Sequence, residues 1–280
     1  MANIIAGVGT SHTPAIGAAA DLGKMHEPYW EPVFTGYEPA KKWMADTAPD
    51  VAIVVYNDHV NAFDFQIIPT FAIGCGDECQ IADEGWGPRP VPPVRGYPEL
   101  AAHMVQSLVL DEFDITIVNE MQVDHGLTVP MTLLYGQPEA WPVRVIPLAV
   151  NVIQYPAPTG NRCYNLGKAI RKAVTDWDED LNVVVFGTGG MSHQIQGPRA
   201  GLINKEFDTA FLDDLAGNPE RLAQIPPIEY LREAGAEAIE LVMWLIMRGA
   251  LGDHAEEVHR FYHVPASSTA VGNIILEARP

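Results

Sequence analysis

Apolar residues in this chain come in short runs that break into glycine or small polar residues, and four of these runs lead into a histidine. NIIAGVGTSH reaches His12, VAIVVYNDH reaches His59, ITIVNEMQVDH reaches His125 and NVVVFGTGGMSH reaches His193. Apolar runs rich in β-branched residues and bounded by turn formers predict buried strands. Strands are therefore expected over 3–8, 51–56, 115–119, 143–150 and 182–186, with a further apolar piece over 67–73. Helical spacing predicts helices over 37–48, 99–110 and 166–177. A last helix is expected over 228–248, entered after Pro226 and Pro227 and stopped by Gly249. Residues 83–98, DEGWGPRPVPPVRGYP, hold five prolines, which remove backbone donors and exclude a central strand or a helix. A long structured loop carrying Trp86 is expected there.

Strands alternating with helices predict an α/β fold. The expectation is a single domain over residues 1–280 whose central, mostly parallel or mixed sheet is flanked by helices, with the active site at the carboxyl ends of the strands. In such sheets the crevice beyond those ends binds ligands, because loops from separate strands converge there. Four imidazoles at one crevice point to a metal site, to proton transfer, or to both, since imidazole is the commonest metal ligand and titrates near neutrality.

One carboxylate belongs with them. Glu240 stands in AEAIELVMWLIM, followed by seven apolar residues, and a buried ionised carboxylate is strongly unfavourable unless paired or bound to a metal. Either it marks the polar edge of the last helix or a cation faces it. Two histidines and one carboxylate form the facial triad of non-haem Fe(II) enzymes, which leaves positions open for other ligands. His12, His59 and Glu240 suit that role, whereas a closed zinc site would use cysteine or a fourth protein ligand. His193, in a turn with three glycines nearby, is placed for general acid–base work. Asn57 and Asp58 are candidates to orient His59 or touch substrate. His125 is a further donor, and Ser267 and Ser268 in HVPASSTA offer hydroxyls and amides to a carboxylate.

A formal charge of −19 excludes a nucleic-acid backbone binder, which needs clustered Lys and Arg, and disfavours docking on anionic membranes. The scattered acidic residues read as a solubilising surface. Three cysteines, an odd and sparse set, fit a reducing compartment, and the first residues lack the basic segment of a secretory signal, so a cytoplasmic location is expected. Cys75 and Cys79 in GCGDEC, lacking a second pair, are weak candidates for a metal site.

GTSHTPAIGAA, VYNDH, ADEGWGPRPVP, VDHG, GTGGMSHQIQGPRAGLINKEFD, IELVMWLIMRGAL and FYHVPASSTA together resemble the type II, LigB-like extradiol ring-cleaving dioxygenases. The likeness is to catalytic β subunits of the protocatechuate 4,5-dioxygenase group and runs almost from end to end. It implies Fe(II) on His12, His59 and Glu240, an acid–base role for His193, and substrate contacts from His125, Asn57 and Ser267. It also implies O₂-dependent opening of protocatechuate at the 4,5 bond, giving 4-carboxy-2-hydroxymuconate 6-semialdehyde in the catabolism of lignin-derived aromatics. Gallate or another carboxylated catechol is the alternative substrate. A small separate α subunit, in an α2β2 assembly, is the implied partner. Two other classes compete: a non-enzymatic relative that binds a partner in the same cleft, and a zinc hydrolase built on the same histidines.

Overall fold

The computed structural model describes residues 1–279. Strands β1 (Asn3–Thr10), β2 (Val51–Tyr56), β3 (Phe71–Gly74), β6 (Thr116–Val118), β8 (Arg144–Val150), β9 (Asn182–Thr188), β10 (Ala255–Ala266) and β11 (Thr269–Ala278) form an eight-stranded mixed sheet. Its order is β10-β11-β1-β9-β2-β8-β3-β6. β4 (Glu78–Ile81), β5 (Val94–Arg95) and β7 (Gln122–Val123) form a small second sheet. β1, β9, β2 and β8 run parallel to one another at the centre.

These central strands read as continuous apolar runs because both of their faces are covered. Ile53 and Val55 join one core cluster, in which Leu100, Leu166, Ile170, Trp244 and Met247 lie. Val54 and Tyr56, alternating with them, join the other, with Ile16, Val33, Met44, Leu127 and Met131. Helices α3 (Pro98–Leu110), α5 (Gly160–Thr175) and α9 (Leu241–Gly249) thus cover one face, and α1 (Pro14–Asp21), α2 (Glu31–Thr47) and α4 (His125–Tyr135) the other. α6 (Lys205–Gly217), α7 (Pro219–Ala223) and α8 (Pro227–Ala234) precede α9 along the chain. No helix among the described residues is long and apolar enough to cross a membrane.

Two expectations are corrected. The helix expected over 228–248 is three pieces: α8, a 3₁₀ turn Glu237–Glu240, and α9. Gly235 breaks it with a φ of 104°, and a Cβ there would lie 2.0 Å from the His193 carbonyl oxygen. The His193 amide donates to the Ala234 carbonyl at 2.8 Å, so the break is where this segment grips the loop of His193. The run ITIVNEMQVDH is not one strand feeding a histidine either. It divides into β6, at the edge of the large sheet, and β7, in the small one, so His125 enters as the first residue of α4.

Candidate functional site

Three neighbouring parallel strands, β1, β9 and β2, deliver His12, His193 and His59 to the same end of the sheet. Asp124 caps α4 by accepting from the Gly126 amide at 2.8 Å, and this cap places His125 beside them. The rings pack together: His59 and His125 stack with centroids 3.9 Å apart, and His12 meets them edge-on at 5.2 and 5.7 Å. Glu240 arrives from the opposite side, at the junction of the 3₁₀ turn and α9. Its close approach requires Gly189, where φ is 133° and a Cβ would lie 2.6 Å from that of Glu240. The Gly190 amide donates to Glu240 Oε2 at 2.7 Å.

Each imidazole has a hydrogen-bonding partner on Nδ1. His12 Nδ1 faces the Thr188 hydroxyl at 3.0 Å, and that hydroxyl in turn donates to the Gly126 carbonyl at 3.2 Å, so His12 Nδ1–H is the donor. His59 Nδ1 faces Asp124 Oδ2 at 3.1 Å, His125 Nδ1 faces Glu84 Oε2 at 2.5 Å, and His193 Nδ1 donates to the Met191 carbonyl at 2.7 Å. A neutral imidazole that donates from Nδ1 carries its lone pair on Nε2. His12 Nε2 then lies 3.3 Å from Glu240 Oε2, and His193 Nε2 lies 3.9 Å from the same oxygen. Lone pairs facing a carboxylate repel unless a cation or a proton lies between them. Donor atoms of His12, His59 and Glu240 all fall within 4.8 Å of one another. This donor set fits a divalent metal of the facial-triad class, with ring orientation fixed by partners on the far nitrogen.

The electrostatics agree with that fit. Burial opposes ionisation of Glu240, but positive charge on the side of His12, His193 and His59 holds its carboxyl well below the usual range, so the carboxylate calls for a proton or a metal between it and those rings. Asp124 is likewise lowered, against burial, chiefly by His59. Burial works against the His59 imidazolium, yet Asp124, Glu240 and Glu84 together push its pKa up to about 9. His125 is lowered by burial and by the adjacent His59.

His59, Asp124 and His125 form a second cluster of the same compactness. Asp124 Oδ2 there already accepts from the His59 amide, His59 Nδ1 and Asn61 Nδ2, and Oδ1 from Gly126, so it serves as an orienting group. Asp58, expected to help orient His59, instead accepts from the backbone amides of Asn61, Ala62 and Phe63. Asn57 does reach His59: its amide nitrogen lies 3.0 Å from Nε2, while its Oδ1 is buried without a partner.

Ser267 stands apart from this buried group. It occupies the exposed turn between β10 and β11 with a φ of 51°, and its amide donates to the Tyr29 hydroxyl. Two residues on, Thr269 forms an isolated bridge with His193, which ties the hairpin to the loop of His193. Cys75 and Cys79 lie outside both clusters, and burial raises the Cys79 thiol to about 11. Thr188, Glu84 and the orienting role of Asp124 are the parts that sequence reading missed. Only Asp124 had a signal, an Asp directly before a helix and a histidine.

Residues 6–272 match the family described as the catalytic LigB subunit of aromatic ring-opening dioxygenase. The chain belongs to this family. Among its LigB relatives, a gallate dioxygenase of Pseudomonas putida is 45% identical over 199 residues, covering 71% of this chain. The chain spans 58% of that enzyme's length. A 2,3-dihydroxyphenylpropionate/2,3-dihydroxicinnamic acid 1,2-dioxygenase of Paraburkholderia xenovorans is 26% identical, with 86% of each chain covered. The crystal structure of an uncharacterized Escherichia coli K12 protein shares the fold, with a TM-score of 0.59 at 14% identity, over 97% of this chain and 99% of that one.

Proposed function

We propose that this LigB chain opens the ring of a carboxylated catechol with O₂, beside the hydroxyls, at an Fe(II) held by His12, His59 and Glu240. Gallate stands ahead of protocatechuate as substrate, on the 45% identity to an enzyme named for gallate. The observation that carries the reading is the convergence of three ligand atoms within 4.8 Å beside a further imidazole, His193, with Nδ1 already committed to a backbone carbonyl. Fe(II), when bound, supplies a place where catechol oxygens and O₂ meet and through which electron density passes.

The protein's own groups do the rest. His193 Nε2 takes a proton from a catechol hydroxyl and later returns it to an oxygen of the opening ring, because its lone pair faces the cleft. His125 binds a ring hydroxyl. Asn57, whose side-chain amide lies beside His59 Nε2, contacts substrate. Ser267 and its turn, tied to His193 through Thr269, meet the ring carboxylate. Burial of His12, His125, His193 and Glu240 keeps bulk water from the reacting atoms. An exposed strip of Leu22 and Trp86, flanked by Pro14 and Pro88 and beginning two residues from His12, is the face offered to a small α subunit in an α2β2 assembly.

The test is to load the chain with Fe(II) without oxygen, alone and with an α subunit, and then offer gallate, protocatechuate and unsubstituted catechol. Turnover with kcat/KM highest for gallate is expected. Full iron occupancy with no O₂ uptake on any of the three would sink the proposal, and a zinc-specific hydrolytic activity would replace it.

A further inference from the structure

The proline-rich loop is fastened to the site at two points. Glu84, with a side chain only 9% exposed, accepts from the backbone amide of His125 at 2.9 Å and from its Nδ1 at 2.5 Å. Arg89 forms a two-pronged ion pair with Asp21 on α1, both bonds 2.8 Å, and donates to the hydroxyls of Thr128 and Thr132, one and two turns further along α4. Asp83, just before the first anchor, closes a turn between the two by accepting from the amides of Gly85 and Gly87, leaving Trp86 exposed. Pro88 stiffens the segment that joins the two anchors, and Pro90 the step just after the second. The loop is therefore a strut along α4, with its first anchor on a site imidazole.

We infer that Glu84 is a positioning residue, holding His125 as the Nδ1–H tautomer with Nε2 turned to the substrate. The inference rests on the functional reading above for the substrate, and on the contacts alone for the tautomer. A carboxylate is suited to this because it is acceptor-only and His125 presents two N–H donors to it. A glutamine offers one acceptor and one donor, so Glu84→Gln satisfies only one of the two bonds unless the imidazole shifts its proton to Nε2. Aspartate keeps both acceptors on a shorter arm.

Two readouts test this. In zinc-loaded protein, ¹⁵N imidazole spectra are expected to show His125 protonated on Nδ1, and protonated on Nε2 in E84Q. A wild-type His125 carrying its proton on Nε2 overturns the inference without any reference to turnover. In the Fe(II) enzyme, E84Q is expected to lower kcat/KM about tenfold or more, with metal content unchanged and partial recovery in E84D. Placed on His125→Ala, the same substitution is expected to change kcat/KM less than about twofold, because the group it positions is gone. An equal loss in both backgrounds makes Glu84 a structural cap of α4 and overturns the positioning role. If the iron-loaded wild type turns over no catechol, the functional reading fails, while the tautomer measurement still decides whether Glu84 sets His125.

Discussion

At the scale of single residues, the site works through which nitrogen each histidine keeps. Thr188, Asp124, Glu84 and the Met191 carbonyl each hold an Nδ1, and His12 and His193 thereby keep Nε2 lone pairs turned towards Glu240. His193→Ala is expected to retain iron and substrate binding while kcat falls by about 10²–10⁴-fold, the usual contribution of a general acid–base group. Near-normal kcat in that variant would remove the assignment. Glu240→Ala and His12→Ala are expected to lose stoichiometric iron, measured by metal analysis after anaerobic loading; full occupancy in either contradicts the triad. The raised pKa of His59, about 9 against an ordinary 6.5, has a definite sign. In the metal-free protein it contributes stability that is fully present below about pH 6.5 and lost as pH rises through about 9. A metal must displace that proton, so calorimetry is expected to show proton release on metal binding at pH 7, with affinity rising up to about pH 9. Metal affinity that is flat across this window would contradict a protonated His59 that gives up its proton to the metal.

At the scale of elements, the breaks matter as much as the strands. Glu240 reaches the cleft because the segment before α9 stops at Gly235, turns through 3₁₀ geometry, and restarts beneath the loop of His193. Gly235→Ala forces a side chain onto left-handed backbone and against the His193 carbonyl, strain of about 1–3 kcal/mol or more. Each kcal/mol lowers Tm by about 2–4 °C in a protein of comparable size. A fall of several degrees together with reduced kcat is expected, and an unchanged Tm would show that the break is tolerant. The central strands were legible because apolar runs buried on both faces have one simple reading. The break was not, since AEAIELVMWLIM satisfies helical periodicity throughout and only the contact with His193, 42 residues away at Gly235, decides where it turns. Likewise His12, His59 and Glu240 could be singled out by local pattern. Glu84 and Thr188 could not, being joined to their histidines only by folding.

At the scale of the whole molecule, three adjacent parallel strands and two covering layers of helices bring residues from His12 to Glu240 into one compact, largely buried cluster. The same fold recurs in the Escherichia coli protein at 14% identity, and a fold by itself does not fix a chemistry. On the proposed reading, the donor set at the strand ends is what would set this LigB chain to ring opening, and that proposal can be measured directly. An oxygen electrode following Fe(II)-loaded protein with limiting gallate is predicted to record one O₂ consumed per ring opened, without hydrogen peroxide, and no uptake with Glu240→Ala. Uptake that yields peroxide with the ring intact, or that persists in Glu240→Ala, would contradict the account.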